Sequence, residues 1–342
     1  AVAFLRPALK RSNLTLITGA QATRILMDGK RATGIKYRQG DTTRTVKAAE
    51  VILAGGAYNS PQLLMLSGIG PAAHLSELEI NVVQDAAAVG GNLQDHPAIS
   101  LEYQRTQTSE FMRNLRLDKL TINVARAWLF NTGPASQPVG FSTAFVKSRE
   151  GLEIPDLQFF FRPYSRLARQ WLPFVYPHAP DAVSITACHL RPESRGEVRL
   201  RSTDPMAPVG FVNNFLSTEA DREAMRQAFK ISRDLVGQPS FDAIRGDETA
   251  PGSDVESDVD IDAFIRETAM TVFHPIGTCR MGSDPASVVD PEMRVRGIEG
   301  LRVVDASVMP DLVGGNINAC VMMIAEKASD IIRGKTPLPV EG

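Results

Sequence analysis

The sequence predicts an α/β (α+β) fold: a nucleotide-type domain assembled from both ends of the chain, with a second domain inserted between them. Three observations carry this reading. Val51-Ile52-Leu53-Ala54-Gly55-Gly56 is a short apolar run closed by a glycine pair, the pattern of a parallel strand buried on both faces. Near the other end, Leu301-Arg302-Val303-Val304-Asp305 is a second short strand, and an apolar helix follows it. Between them, from about residue 97, strand-like segments alternate apolar and polar residues as a mostly antiparallel sheet flanked by helices does. The expected division is 1–96, 97–264 and 265–342, the first and last parts forming one domain.

Taken in order, Ala3 to Arg11 reads as a short helix end and Leu14 to Thr18 as a strand. Ala22 to Met27, a turn of the Asp-Gly type at Asp28-Gly29-Lys30-Arg31, Ala32 to Arg38 and Thr43 to Ala48 predict a small β-meander. After the buried strand, Ser60 is expected to cap a helix with Pro61 at its first position, ending at Ser67-Gly68. A helix over Ala72 to Leu78 and a strand at Val82-Val83 follow, and Val89 to Pro97 is a polar loop without periodicity.

In the middle, strands are expected at Ile99 to Gln104, Ser142 to Val146, Leu157 to Phe161, Val183 to Leu190 and Gly196 to Arg201. Helices are expected at Leu117 to Phe130, Ser217 to Gly237 and Ile261 to Met270. Arg162 to Ala182, rich in proline, aromatic and basic residues, predicts a long loop bordering a pocket. The run from Ala319 to Ile332 predicts a buried helix.

Composition narrows the function classes. With 342 residues, 43% hydrophobic, 22% charged and a net charge of −2, the chain reads as an ordinary globular protein. It offers neither a basic stripe for nucleic acid nor attraction to an anionic membrane. No apolar run reaches the roughly 18 residues of a membrane span, and no signal peptide is visible. The expected location is cytoplasmic, with peripheral attachment to the inner membrane as the alternative. The chain starts at Ala1, so a fragment or processed product is expected. Cys188, Cys279 and Cys320 show no close spacing, which predicts reduced thiols and argues against structural zinc.

Three places carry candidate chemistry. His274, in Phe273-His274-Pro275-Ile276-Gly277, is held extended by the proline and is a natural base near neutral pH; a satisfied loop histidine would look the same. Gly314-Gly315-Asn316-Ile317-Asn318 leads into a helix, where asparagine caps the first turn or the helix start receives negative charge. Asp305 ends its strand where carboxylates in open α/β sheets meet ligands, or caps the following turn. Gly68-Ile69-Gly70-Pro71 follows a helix and lacks the third glycine of a dinucleotide fingerprint. The five histidines lack metal-ligand spacing.

Longer blocks resemble the glucose-methanol-choline (GMC) flavoprotein oxidoreductases, particularly the choline-dehydrogenase-like alcohol dehydrogenases. Gly56 to Gly70 resembles that family's second signature, and Val89-Gly90-Gly91-Asn92-Leu93-Gln94-Asp95-His96 its VGxNLQDH loop. His274 to Gly282, Leu301 to Pro310 and Gly315 to Ala328 resemble its HPxGTCxMG, LRVVDASxMP and GNxNA…MIAEKA blocks.

The resemblance implies an FAD-binding Rossmann-like domain built from both ends, with an inserted substrate domain. It implies His274 as catalytic base and Asn316 as its partner on the substrate oxygen. Ala22, Gly55, Gly56, Asn92, Asp305, Ala306, Ile317 and Asn318 are the implied FAD contacts. The implied reaction oxidises a primary alcohol to an aldehyde, passing electrons to an acceptor of quinone, dye or oxygen type. The family's G-x-G-x-x-G unit has no counterpart here, so the ADP half of FAD is expected to lack its main cradle. The chain alone is then expected to be free of cofactor, needing a missing N-terminal segment or a partner chain. A non-redox lyase on the same scaffold is the rival activity. Aromatic residues between Phe159 and Pro180 are accompanied mainly by positive charge, which disfavours choline.

Overall fold

The computed structural model describes residues 2–137 and 142–336; residue 1 and residues 337–342, which the expected outer domain includes, lie outside them. The two ends of the chain meet in one two-stranded parallel ladder, Val51–Leu53 beside Leu301–Val303, with Val51 opposite Leu301. Around it lies a core that draws Ile25, Leu53, Leu64 and Met65 from the first hundred residues and Ile276, Val289, Leu301 and Ile324 from the last seventy. The meander is an antiparallel sheet of Ala20–Asp28, Arg31–Gln39 and Thr42–Lys47, its first turn closed by Gly29 at φ +54°.

The middle of the chain forms a larger antiparallel sheet in the order Arg245–Ala250, Pro97–Arg105, Ala182–His189, Leu157–Arg162 and Ser142–Val146. Strand alternation divides its residues cleanly. Ile99, Leu101, Tyr103, Leu157, Phe159, Val183 and Ile185 turn towards helices Glu219–Gly237 and Asp258–Thr268, closing a second core with Met225, Phe229, Ile261 and Ile265. Both helices start at hydroxyl caps, Thr218 accepting from the Asp221 amide and Ser257 from the Asp260 amide. The opposite face carries Ser100, Glu102, Phe160, Arg162, Ser184 and Thr186. Among the described residues no helix is long and apolar enough to cross a membrane.

Several local expectations are corrected. Leu14 to Thr18 is not a strand: Leu14, Leu16 and Ile17 are exposed, and no described strand lies beside them to complete a ladder. Ile52 is 46% exposed, so the parallel strand is covered on one face only. The strand expected at Val82-Val83 lies at Gln84–Asp85, and Glu197–Arg199 pairs with Gly210–Val212 outside the large sheet. Arg245–Ala250 and Met270–Thr271 are strands that periodicity misses, being short and polar.

The helix expected to begin at Ser60-Pro61 begins at Gly56, with Gly55 at its N-cap. Ser60 is thus inside it, its hydroxyl taken by Asp305, and Pro61 leaves the Ala57 carbonyl without its helical N–H. The Thr278 hydroxyl supplies the missing bond, donating to Ala57 O at 2.6 Å. The final helix, Asn318–Ile332, is not buried as its apolar run implies. Only Ile324 and Ala328 are enclosed, while Met322 and Met323 face outward at 42% and 59% exposure. One stripe of this helix packs on the first core, and no described element covers the rest.

Candidate active site at the His96–His274 pair

The site forms where two distant segments run antiparallel. Met270–Thr271 pairs with Ala98 and Pro97, and Ile276 bridges Gln94. Both stretches contain a His-Pro pair, and proline keeps each preceding histidine out of helical geometry. His96 and His274 therefore come side by side. The tight return after Pro275 needs Gly277, whose φ is +93° and whose added Cβ would sit 2.3 Å from the Asn92 carbonyl oxygen.

Asp95 fixes this loop. Its buried carboxylate accepts the His96 amide at 2.8 Å, the His274 amide at 3.0 Å and the Thr271 hydroxyl. Burial raises its pKa, and those hydrogen bonds act against the rise. Phe273, between the anchored residues, takes φ +64° and is 83% exposed, a strained backbone position beside the site.

The hydrogen-bond partners determine the histidine tautomers. His96 Nε2 lies 3.0 Å from the Val313 carbonyl oxygen, which can only accept, so Nε2 carries the proton. Burial first, and then the neighbouring His274, push the His96 pKa down to about 4, so the ring is neutral and its Nδ1 accepts. His274 Nδ1, 3.0 Å away, must then be the donor. His274 Nε2 is then unprotonated and accepts from the Asn316 amide nitrogen at 3.3 Å. Burial also lowers the His274 pKa, opposed by the Asp95 carboxylate, which favours its charged form. An unprotonated imidazole nitrogen and an amide donor thus face one point.

That point opens on a cavity of about 490 Å³, lined by His274 and Asn316 together with Ser100, Phe160, Arg162 and Tyr164. Asn316 does not cap the last helix: that helix starts at Asn318, behind Ile317, with no side-chain cap, so its first amides remain available. Gly314 lies close under Arg191, whose guanidinium would be 2.8 Å from a Cβ there.

The other candidate residues separate into two groups. Ala22 and Gly55 line a second cavity of about 360 Å³ with Ala54, Asn59 and Ser60. Asp305 is buried and turned inward: it accepts from the Gly56 amide at 2.9 Å, the Ser60 hydroxyl at 2.6 Å and the Ser307 amide at 2.8 Å. Asn92 donates to the Pro310 carbonyl at 3.1 Å. Ala306 opens the short 3-10 turn Ala306–Val308, and Ile317 precedes the last helix. Sequence reasoning missed His96, Asp95 and Thr271 as parts of the site. The repeated His-Pro pair was the available signal for His96.

Two models described as GMC oxidoreductase match residues 1–98 and 192–325. Over 348 residues the chain is 44% identical to a protein of Brucella ovis described as oxygen-dependent choline dehydrogenase, covering 99% of this chain and 61% of that protein. It thus spans less than two thirds of the length of that curated relative. The structure superposes on pyridoxine 4-oxidase from Mesorbium loti with a TM-score of 0.80 and 29% identity, over 96% of this chain and 60% of that one. A formate oxidase of Aspergillus oryzae RIB40, in a structure addressing FAD modification, gives a TM-score of 0.84 at 28% identity, over 94% and 61%. The agreement of both family models with this fold and these relatives leads to one conclusion: the chain belongs to the GMC oxidoreductase family.

Proposed function

We propose that this chain carries the substrate pocket and flavin edge of an FAD-dependent enzyme oxidising a primary alcohol to an aldehyde. In this reading 1–96 and 265–342 form the cofactor side and 97–264 the substrate side. The observation that carries it is the pairing of His274 Nε2, an unprotonated acceptor, with the Asn316 amide donor at 3.3 Å on the rim of a cavity. Family membership and the FAD named for a solved relative support the choice of cofactor.

The residues present fit the flavin end of that cofactor. The uncapped start of the Asn318–Ile332 helix suits negative charge, and Asn318 stands exposed at it. Ala22 and Gly55 border a separate cavity, and we assign that cavity to the adenosine side. Asp305 and Asn92 have their polar atoms engaged by protein, so they shape the cofactor site by holding Gly56 and Pro310. The sequence contains no G-x-G-x-x-G turn, so the chain alone would hold the ADP half weakly.

When bound, FAD supplies the acceptor for the hydride from the alcohol carbon. His274 Nε2 takes the hydroxyl proton, and the Asn316 amide donates to the substrate oxygen as its charge grows. Asp95 favours the imidazolium so formed, and Val313 and His96 keep the ring oriented. The electron acceptor is a quinone, a dye or oxygen.

The test uses the full-length parent protein loaded with FAD. His274→Ala should keep the flavin absorbance but lose about two to four orders of magnitude in the rate of anaerobic flavin reduction by an alcohol. Turnover close to that of the parent would refute the base. A flavin that no alcohol bleaches would favour lyase chemistry instead.

A further inference from the structure

The cavity that ends at His274 and Asn316 has a floor of defined polarity. It is the polar face of the large sheet, and strand register sets its rows. Ser100, Thr186 and Phe160 are adjacent across three strands, and Glu102, Ser184 and Arg162 form the next row. Arg162 Nη1 donates to Thr186 Oγ1 at 2.8 Å, and Thr186 and Ser100 share a hydrogen bond of 2.6 Å. The guanidinium carbon also sits 5.7 Å from the centre of the Phe160 ring. These contacts aim Arg162 without neutralising it.

The charge balance of the lining is one-sided. Arg162 and Arg166 both border the cavity, and among the described residues no aspartate or glutamate does. The carboxylate on the same sheet face, Glu102, is turned to the loop: it accepts the Arg166 amide at 2.8 Å and the Ser165 hydroxyl at 3.4 Å. A cationic alcohol entering here would find aromatic surface at Phe111, Phe160 and Tyr164 but no anion to pair with it. An anionic alcohol would find a guanidinium that is held by a neutral hydroxyl and retains free N–H groups for a carboxylate or phosphate.

We propose that the alcohol accepted by this site carries an anionic group, a carboxylate or a phosphate, bound by Arg162 while its hydroxyl reaches His274. This rests on the alcohol-oxidation reading above and adds the substrate class to it. It departs from the choline named for the relatives.

The experiment uses the FAD-loaded full-length protein with three alcohols of one chain length, ω-hydroxyhexanoate, the phosphate monoester of hexanediol and hexanol, and with choline as the cationic alcohol. One of the two anions should exceed both hexanol and choline in kcat/KM by about tenfold or more, and which of them leads identifies the headgroup. Arg162→Gln should lower the anion-to-hexanol ratio of kcat/KM by about ten- to a hundredfold, with Arg162→Lys restoring part of it. Binding of unreactive hexanoate, followed by calorimetry, should weaken in parallel and needs no turnover. Preference for choline over both anions, or an anion-to-hexanol ratio unmoved by Arg162→Gln, overturns the proposal. A flavin reduced by none of the alcohols sinks the alcohol reading instead, and hexanoate binding then decides the role of Arg162 independently.

Discussion

The Nδ1 atoms of His96 and His274 lie 3.0 Å apart, and only one proton arrangement on two neutral rings satisfies this contact and the Val313 carbonyl. His96 is thus a positioning residue that selects the reactive tautomer of His274. His96→Ala should lower the rate of flavin reduction several-fold, because His274 Nε2 would carry the proton for part of the time. His96→Asn, whose amide oxygen can accept from His274 Nδ1, should recover much of that loss. Nitrogen NMR of the imidazole rings checks the cause directly. A single Nδ1–H tautomer of His274 persisting in His96→Ala would sink the assignment.

The same histidine makes folding sensitive to acid. Its native pKa of about 4 lies below the ordinary value of 6.5, so the unfolded chain binds the extra proton first. The stability it contributes is complete above pH 6.5 and is lost as pH falls towards 4, on the order of 3 kcal/mol across that window. Urea denaturation at pH 7.5 and 5 should show a smaller drop for His96→Asn than for the parent chain. Equal drops would mean that His96 is not the group being protonated.

These relationships were unevenly legible in the sequence. The meander, the helix Leu117–Phe130 and the strand Ser142–Val146 follow from periodicity and turn residues, because each is decided by neighbours along the chain. His274 and Asn316 stood out from their local sequence and took their roles from the motif blocks, and their approach depends on how Met270–Thr271 docks on Pro97–Arg105. That docking is a long-range pairing with no local signature. Arg162 was visible only as part of a basic, aromatic loop; its inward direction follows from the register opposite Ser184 and the bond to Thr186. Asp305 read either as a carboxylate meeting a ligand or as the cap of the following turn; it is that cap, accepting the Ser307 amide, and the sequence does not show that Ser60 and Gly56 also take its oxygens.

Pro61 inside the Gly56–Leu66 helix gives a third prediction. The Thr278 hydroxyl bonds the Ala57 carbonyl that the proline leaves open, so Thr278→Val strands a buried acceptor. The cost should be about 1–3 kcal/mol in denaturation experiments. In a Pro61→Ala background the helix regains its own N–H at that carbonyl, and the same substitution should cost distinctly less. Additive effects of the two changes would show that the hydroxyl is not substituting for the missing helical bond.

The pH dependence of turnover tests the electrostatics around the base. His274 must be neutral to accept the alcohol proton, so activity falls as pH drops through its pKa. Burial places that pKa below 6.5, and the acidic limb of kcat/KM should therefore lie below pH 6.5 in the full-length protein. The Asp95 carboxylate opposes this shift by favouring the charged imidazole. Asp95→Asn keeps an oxygen for the His96 and His274 amides and turns an NH2 towards the Thr271 hydroxyl, which can rotate to accept, while removing the charge. The limb should move to lower pH, with a reduced maximal rate because the imidazolium formed during proton transfer loses its counter-charge. A limb that moves upward in Asp95→Asn would mean that Asp95 acts on His274 through loop geometry and not through its charge.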